Sequence, residues 1–415
     1  MNSAFTTIDS VKWTLCLGDP GGIVDIMRTA QTRRSQAPRI AVVIDLDWTL
    51  KHHHDVFAGV HRYARPRNWH CVVWPHAPEL DRQQTFDGII GRVTPDLARI
   101  AGRAKIPLVN VWLSAALEDV PTVVPDARAA GVMAGEHLLA RGFVRFGFLG
   151  FHRVRASREV EAGYRSVVDE GNGTDYTRLL VPNSYNRNQT VWKRFREDLL
   201  AWVESCRPPV AILTINDMMA RYVSNTVLQL GRDVPRDVAI VGCANEVNVC
   251  VNPEPTLSSI EFGFERVGRR AAFLLEDLMG GVRAPVEPIY VTPQMVVARA
   301  STDAFAVDDP IVAQALEYIA NESHRPINVE DVVNQVPTTW RTLDRRFRKT
   351  RGTTVGEEIT RLRLERVKRL LIETSLPVKK VATGCGFANA KRLCETFQRE
   401  EGMTPGDFRR RAKAD

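Results

Sequence analysis

The sequence has no apolar run that approaches the ~20 residues needed to span a bilayer, so no membrane segment is expected. Its seven cysteines (Cys16, Cys71, Cys206, Cys243, Cys250, Cys385, Cys394) are odd in number, scattered, and contain no C-x-x-C pair. That pattern argues against a disulfide framework and a structural zinc site and fits a reducing compartment. Asp9, Asp19 and Asp25 interrupt any apolar core near the start, so no signal peptide is expected and a cytoplasmic location follows. Charge of one sign is also scarce, with 56 Lys and Arg facing 49 Asp and Glu for a net charge of +7. With 44% hydrophobic and 25% charged residues, a collagen or a long disordered chain is excluded.

What is present is an uneven distribution. From Asp309 onward there are 21 Lys and Arg against 15 Asp and Glu, so nearly all the net charge lies in the last quarter. A near-neutral body with a basic tail points to a polyanionic partner, most simply nucleic acid. A length of 415 residues predicts two or three domains. Residues 1–37 show no periodic pattern and form an N-terminal extension. Residues 38–302 form a body, 303–308 a linker and 309–415 the tail domain.

The body alternates strand and helix. RIAVVI (Arg39–Ile44) is a continuous apolar run of the kind buried in parallel sheets. HCVVW, DGII, LVNVW, RFGFL, VAILT and VAIVG follow at regular intervals with helical segments between, which predicts doubly wound α/β units in two lobes. Ligands of such sheets bind beyond the carboxyl ends of strands. Those ends carry Asp45 and Asp47, Arg92, Trp112 and Ser114, Asp126, Asn216 and Asp217, and Asn245 and Glu246.

Three segments carry a resemblance. Val120–Phe151 (VPTVVPDARAAGVMAGEHLLARGFVRFGFLGF), Pro209–Glu246 and the closing ARAST (Ala298–Thr302) resemble LacI/GalR-type effector domains. The resemblance implies the type I periplasmic-binding-protein fold, two α/β lobes hinged around a small ligand that is usually a sugar. It places Asp126 at the family's acid in the linking segment and Asn216 at its polar residue after the second lobe's strand. Two positions depart from the family: Ala244 stands where an acid is usual and Val160 where an arginine is usual, with Arg158 two residues away. Asp45, Asp47, Trp112, Asp126, Arg158, Asn216 and Asn245 are the candidate effector-binding set.

The tail is helical throughout. Asn328 stands at an N-cap with Asp331 three residues on, Pro337–Thr338 breaks the short helix that follows, and Thr339–Arg351 forms the next. Trp340, Leu343 and Phe347 are spaced for its core, while Arg341, Arg345 and Arg348 form a neighbouring stripe flanked by Arg346, Lys349 and Arg351. A short helix, a tight turn and an arginine-faced helix are the parts of a helix-turn-helix. Arginine forks pair two acceptors of guanine, and outer arginines, Arg351 among them, neutralise phosphates. A longer helix over Val355–Thr374 carries five basic residues, counted with the DNA-contact surface. The pattern then repeats, with a second recognition helix over Ala388–Glu400 presenting Lys391, Arg392 and Glu395.

LPVKKVATGCGFANAKRLCETFQREEGMTPGDFRRR (Leu376–Arg411) resembles the AraC/XylS DNA-binding signature. Carried onto this sequence, the resemblance implies base contacts from Arg341, Asp344 and Arg345 and from Lys391, Arg392 and Glu395. The two resemblances together imply an all-α double helix-turn-helix tail on an α/β effector body. They imply a homodimer that activates genes through RNA polymerase in response to a small sugar, a xylose-like pentose favoured.

Other signals are weaker. VVIDLDWTL (Val42–Leu50) matches the D-x-D-x-T motif of haloacid-dehalogenase-like phosphatases, with Asp45 as nucleophile and Asp47 as acid/base. No matching downstream acidic pair follows, so an enzyme is not expected. A solute-binding protein is the other alternative, and the basic tail opposes it. His52, His53 and His54 are consecutive on a helix start and point in different directions, so neither metal nor cofactor is expected.

Overall fold

The computed structural model describes residues 37–46, 51–74, 86–113, 119–170, 175–303, 307 and 309–414. The N-terminal extension up to residue 36, Asp47 and Ser114 lie outside the described residues. In chain order the first elements are β1 (Arg39–Val43), α1 (Lys51–Ala64), β2 (His70–Trp74), β3 (Gly88–Gly91), α2 (Pro95–Ala104), β4 (Leu108–Asn110) and β5 (Val123–Pro125). Then come α3 (Ala127–Leu139), β6 (Arg145–Phe151), α4 (Arg155–Glu170), β7 (Asp175–Val181), α5 (Gln189–Ser205), β8 (Val210–Thr214), α6 (Asp217–Gln229), β9 (Val238–Cys243), α7 (Val247–Cys250) and β10 (Ser258–Glu261). The body closes with α8 (Phe264–Met279), β11 (Ile289–Val291) and β12 (Met295–Val297).

These elements fall into two compact units, the first built from the chain up to Pro125 with Gly263–Val291, the second from Asp126–Phe262 with everything after Thr292. The first unit holds a parallel sheet of order β2-β1-β3-β4, with Ile40 opposite both Cys71 and Gly88. Its strands read as unbroken apolar runs because both faces are covered. Ile40, Val42 and Ile90 pack on α1 and α8 on one side; Ala41, Val43 and Ile89 pack with Leu97 and Ala101 of α2 on the other. The second unit's sheet runs β12-β10-β9-β8-β6-β7, parallel except for β12.

Each unit contains one very close helix pair. A Cβ on Gly59 of α1 would lie 2.0 Å from the Glu265 carbonyl of α8, and one on Gly163 of α4 would lie 1.9 Å from the Arg128 carbonyl of α3. Neither carbonyl can move without breaking its helix. Gly163→Ala is therefore expected to lower stability by about 1–3 kcal/mol, read as a lower denaturation midpoint. An unchanged midpoint would mean that the α3–α4 contact is looser than described.

The tail adds α9 (Pro310–Glu322), α10 (Val329–Val333), α11 (Trp340–Arg351), α12 (Val355–Glu373), α13 (Val378–Gly384), α14 (Ala390–Glu401) and α15 (Pro405–Ala414). It has two separate cores. Leu316, Ile319, Val332, Leu343, Phe347, Ile359 and Leu362 make the first; Leu364, Val367, Leu371, Val381, Leu393 and Phe397 make the second. Helix α12 belongs to both, so it sets the spacing between the halves. The halves repeat each other in their caps. Both α11 and α14 end at a left-handed glycine, Gly352 and Gly402, each with φ 70°. A threonine then starts the next helix, Thr354 boxed with Glu357 and Thr404 bonded to Asp407. Asn328 caps α10 and Asp331 closes its capping box.

Candidate nucleic-acid interface and effector site

In the first unit the strand ends gather a small polar and aromatic cluster. Trp112 follows β4, and its ring lies 5.1 Å from those of His52 and His53 at the start of α1. The Arg92 guanidinium, beyond β3, stands 5.4 Å over the Trp112 ring. Buried Asn110 holds this corner: its side-chain oxygen accepts from the amides of Val93 (3.3 Å) and Trp112 (3.1 Å), and its nitrogen donates to the Trp112 carbonyl (3.0 Å). Burial, with the neighbouring histidines, pushes His52 down to about 3. Burial also lowers His53, and the Asp45 carboxylate partly offsets that. Of the expected set, Asp45 and Trp112 meet here. The histidines and Arg92 belong to the same corner, and the rule that ligands sit at strand ends already pointed to Arg92.

In the second unit Asn216 caps α6, accepting from the Met219 amide at 2.8 Å, and its side-chain nitrogen has no partner among the described residues. Asp126 caps α3 through one oxygen, 2.9 Å from the Ala129 amide. Arg158 is exposed near the start of α4, whereas Val160 is buried with its carbonyl against Gly131. Asn245 is different from these. It and Ala244 have positive φ, 51° and 96°, and both ends of its side-chain amide are engaged. Its nitrogen donates to Glu261 at 3.0 Å, and its oxygen accepts from Arg299 at 2.6 Å. Asn245 therefore serves the protein's own hydrogen bonding rather than presenting a free amide. Asp217 is buried in the same way, accepting from Ser259 (2.5 Å) and the Glu246 amide (2.7 Å).

The tail separates its basic residues into two groups. Arg341, Arg345, Lys349 and Lys391 are exposed and pair with no acidic side chain among the described residues. Arg341, Arg345 and Arg348 fall at i, i+4 and i+7 on α11, and Arg348 is held 2.9 Å from Asp344. On α14, Arg392 stands 3.7 Å from Glu395, both exposed. Asn389 caps that helix by accepting from the Arg392 amide. Trp340 is a correction: it is 54% exposed, not core. It occupies the first position of α11, a turn beyond the point where Leu343 and Phe347 close the bundle, so it stands on the same outer end as Arg341.

A second correction concerns the long helix and Arg351. Arg351 is not a phosphate contact; its side chain is 8% exposed and faces Glu358 at 3.6 Å. Four of the five basic residues of α12 are likewise committed to partners within the protein. Arg361 bonds Glu358 at 2.6 Å and Glu365 at 2.5 Å. Arg363 pins the carbonyls of Ser323, Arg325 and Ile327, Lys368 meets Glu401 at 2.6 Å, and Arg369 donates to the Ala298 carbonyl at 2.7 Å. A helix that must also hold the second lobe cannot give that face to DNA. Arg361, Glu365, Arg369 and Glu373 repeat every four residues and so form one stripe, and that stripe faces the lobe.

At its centre Arg141 of the second unit, 1% exposed, donates to the Thr302 carbonyl (2.8 Å), the His137 carbonyl (3.2 Å) and Glu365 (2.7 Å). It also contacts His137 Nδ1 at 3.1 Å. A guanidinium only donates, so Nδ1 is the acceptor and Nε2–H donates to Thr302 Oγ1 at 3.1 Å. Burial opposes charge on Glu365, but Arg141 and Arg361 outweigh it and hold the carboxyl down at about 2. Burial and Arg141 keep His137 neutral, well below the usual histidine range.

Histidines held low lose stability as acid rises. Below about pH 6.5 the unfolded chain takes protons that folded His52 and His137 refuse, so stability is complete above that value. It falls by about 1.4 kcal/mol per pH unit per histidine below it. The denaturation midpoint is expected to drop between pH 7.5 and 5.5, less steeply in His137→Gln; identical slopes would place His137 in contact with water.

This geometry can be compared with known proteins. Residues 136–302 match the family described as a periplasmic binding protein-like domain, and residues 333–411 match a helix-turn-helix domain. The xylose operon regulatory protein of Haemophilus influenzae is 27% identical over 332 residues, 79% of this chain and 86% of that protein. Its namesake in Escherichia coli strain K12 is 28% identical over 311 residues, 73% of this chain and 78% of that one. The solved structure of a xylose-binding transcription activator matches with a TM-score of 0.58 at 25% identity, covering 90% of this chain and 98% of that chain. This chain joins a periplasmic-binding-protein-like domain to an AraC-type helix-turn-helix domain. Its body is the periplasmic-binding-protein-like α/β domain and its tail the DNA-binding helix-turn-helix domain. The relatives are transcription regulators, not enzymes, so the phosphatase reading of Asp45 and Asp47 is set aside. No helix among the described residues is long and apolar enough to cross a membrane.

Proposed function

We propose that the chain is a cytoplasmic, sugar-responsive activator that works as a homodimer and recruits RNA polymerase, with a xylose-like pentose as effector. The tail, residues 309–415, reads DNA with Arg341, Asp344 and Arg345 of α11 and Lys391, Arg392 and Glu395 of α14. Two such helices in successive major grooves contact sites about one turn, or ~34 Å, apart. Arg348 and Lys349 add phosphate contacts.

The effector is held at the strand ends of the body, residues 38–302. Trp112 offers an apolar face of the kind on which a sugar ring stacks. Asp45, Asp47, Asp126, Arg158 and Asn216 supply polar groups to the hydroxyls, and Asn245 acts behind them through its bond to Arg299. The observation that carries the reading is the pairing of exposed, unpaired cations on two recognition helices with a body whose strand ends present an aromatic and polar corner. The names of the relatives favour xylose.

Titration calorimetry against a panel of pentoses and hexoses tests the effector. A saturable heat with D-xylose, lost in Trp112→Ala, is expected. Heat with no member of the panel would leave only the DNA-binding half of the reading.

A further inference from the structure

The second unit contains a continuous polar route from the end of β9 to the DNA-binding domain. Asn245, two residues beyond that strand, is 2% exposed and anchored by Glu261 and by its own amide, which donates to Ser259 Oγ at 2.9 Å. Its side-chain oxygen accepts from the Arg299 guanidinium at 2.6 Å. Arg299, 2% exposed, donates also to the Leu257 carbonyl at 2.7 Å and, through Nε, to Glu373 of α12 at 3.1 Å, with a second contact from its terminal nitrogen. One terminal nitrogen of Arg299 thus serves both Asn245 and Glu373. A shift of either partner must be met by the other or leave a buried charge under-bonded, which is costly.

Two further ties join lobe and helix: Arg369 donates to the Ala298 carbonyl one turn up α12, and Arg141 meets Glu365 two turns up and reaches His137 and Thr302 instead. Ala244 and Asn245, both at positive φ, hold a backbone shape that few non-glycine residues adopt. A change at the neighbouring ligand-facing positions therefore acts on a segment whose geometry the Arg299 bonds help to hold.

We propose that Arg299 is a positioning residue: it couples the Asn245 strand end to Glu373 and so sets the placement of α12, and with it the recognition helices, according to the state of the lobe. This rests on the reading that an effector engages the strand ends. The coupling itself is reciprocal, so DNA can report it without any effector.

The test uses the full chain and a duplex selected on it from a random-sequence pool. Hydrogen exchange of residues 243–250 is measured with and without that duplex. In the wild type the duplex is expected to change exchange there by about fivefold or more. Glu365→Gln, which weakens the Arg141 tie, is expected to keep the response. Glu373→Gln, and Asn245→Ala from the opposite end, are expected to lose it. A purely structural role for Arg299 would make the Glu365 and Glu373 variants behave alike. Equal responses in all chains, loss in both glutamine variants, or no response in the wild type would each overturn the proposal. Adding D-xylose to the wild type in a separate arm tests the effector reading independently, because the DNA-linked response stands or falls without it.

Discussion

Replacing Arg141 with methionine is expected to destabilise the protein by about 3 kcal/mol and to separate the unfolding of the tail from that of the second lobe. Arg141 is fully buried and donates to two carbonyls and one carboxylate. Its loss leaves Glu365 with Arg361 alone, at 2.5 Å, and leaves the Thr302 carbonyl without the Arg141 donor. Removing one partner of a buried pair costs about 3–5 kcal/mol because the other charge remains desolvated. The surviving Arg361 contact puts this case at the lower end. Two resolved transitions in a thermal scan, where the wild type shows them coupled, are the expected readout. The Arg141→Met/Glu365→Met pair should recover most of the loss, since no isolated charge then remains. A single variant as stable as the wild type would mean that the lobe and α12 are not bound through this pair.

The second large effect separates two arginines that lie on the same helix. Arg345→Ala is expected to reduce discrimination between selected and scrambled DNA by about 10- to 100-fold, equal to 1–3 kcal/mol for a lost bidentate base contact. Folding should be unaffected, because Arg345 is exposed and unpaired among the described residues. Arg351→Ala should do the reverse. Its partner Glu358 is 1% exposed in its side chain, so the variant should unfold more easily while keeping its sequence preference. Competition binding on selected and scrambled duplexes, beside denaturation curves, distinguishes the two. A specificity loss in Arg351→Ala without a stability loss would reverse the assignment.

Much of the fold was legible because each signal was local. The apolar runs of β1, β3, β8 and β9 were visible as runs because parallel strands bury both faces. The cap at Asn328 was visible because capping depends on residues three apart. The site was legible in part. Trp112 and Asp45 follow from the rule that ligands sit beyond strand ends, and the same rule reaches Arg92, yet nothing in the order of residues shows that Asn110 fixes Trp112.

The failures have one origin. Helical periodicity tells which stripe is apolar but not what each polar stripe meets. Helix α12 has an apolar surface for the two tail cores and a charged stripe, Arg361 to Glu373, that faces the lobe. From sequence, that stripe was indistinguishable from a DNA-facing one. Trp340 erred in the opposite sense, since its 3,4 spacing with Leu343 and Phe347 is correct but the bundle ends before it. Asn245 entered the candidate effector set by its position beyond β9, while its amide turns inward to Arg299. The net surplus of the tail therefore overstates its DNA surface, which is concentrated on the outer faces of α11 and α14.

The central claim is that the free cations of α11 and α14 read DNA. It is tested most directly by measuring the affinity of the full chain for a selected and a scrambled duplex between 50 and 200 mM salt. Bringing the four cations Arg341, Arg345, Lys349 and Lys391 into the phosphate field of the duplex, on bases or on phosphates, releases about four condensed counterions and predicts a loss of about 100-fold across that range. The selected duplex should be preferred by at least ~10³-fold, with two protected patches one helical turn apart. A flat salt response, or equal affinity for both duplexes, would contradict it.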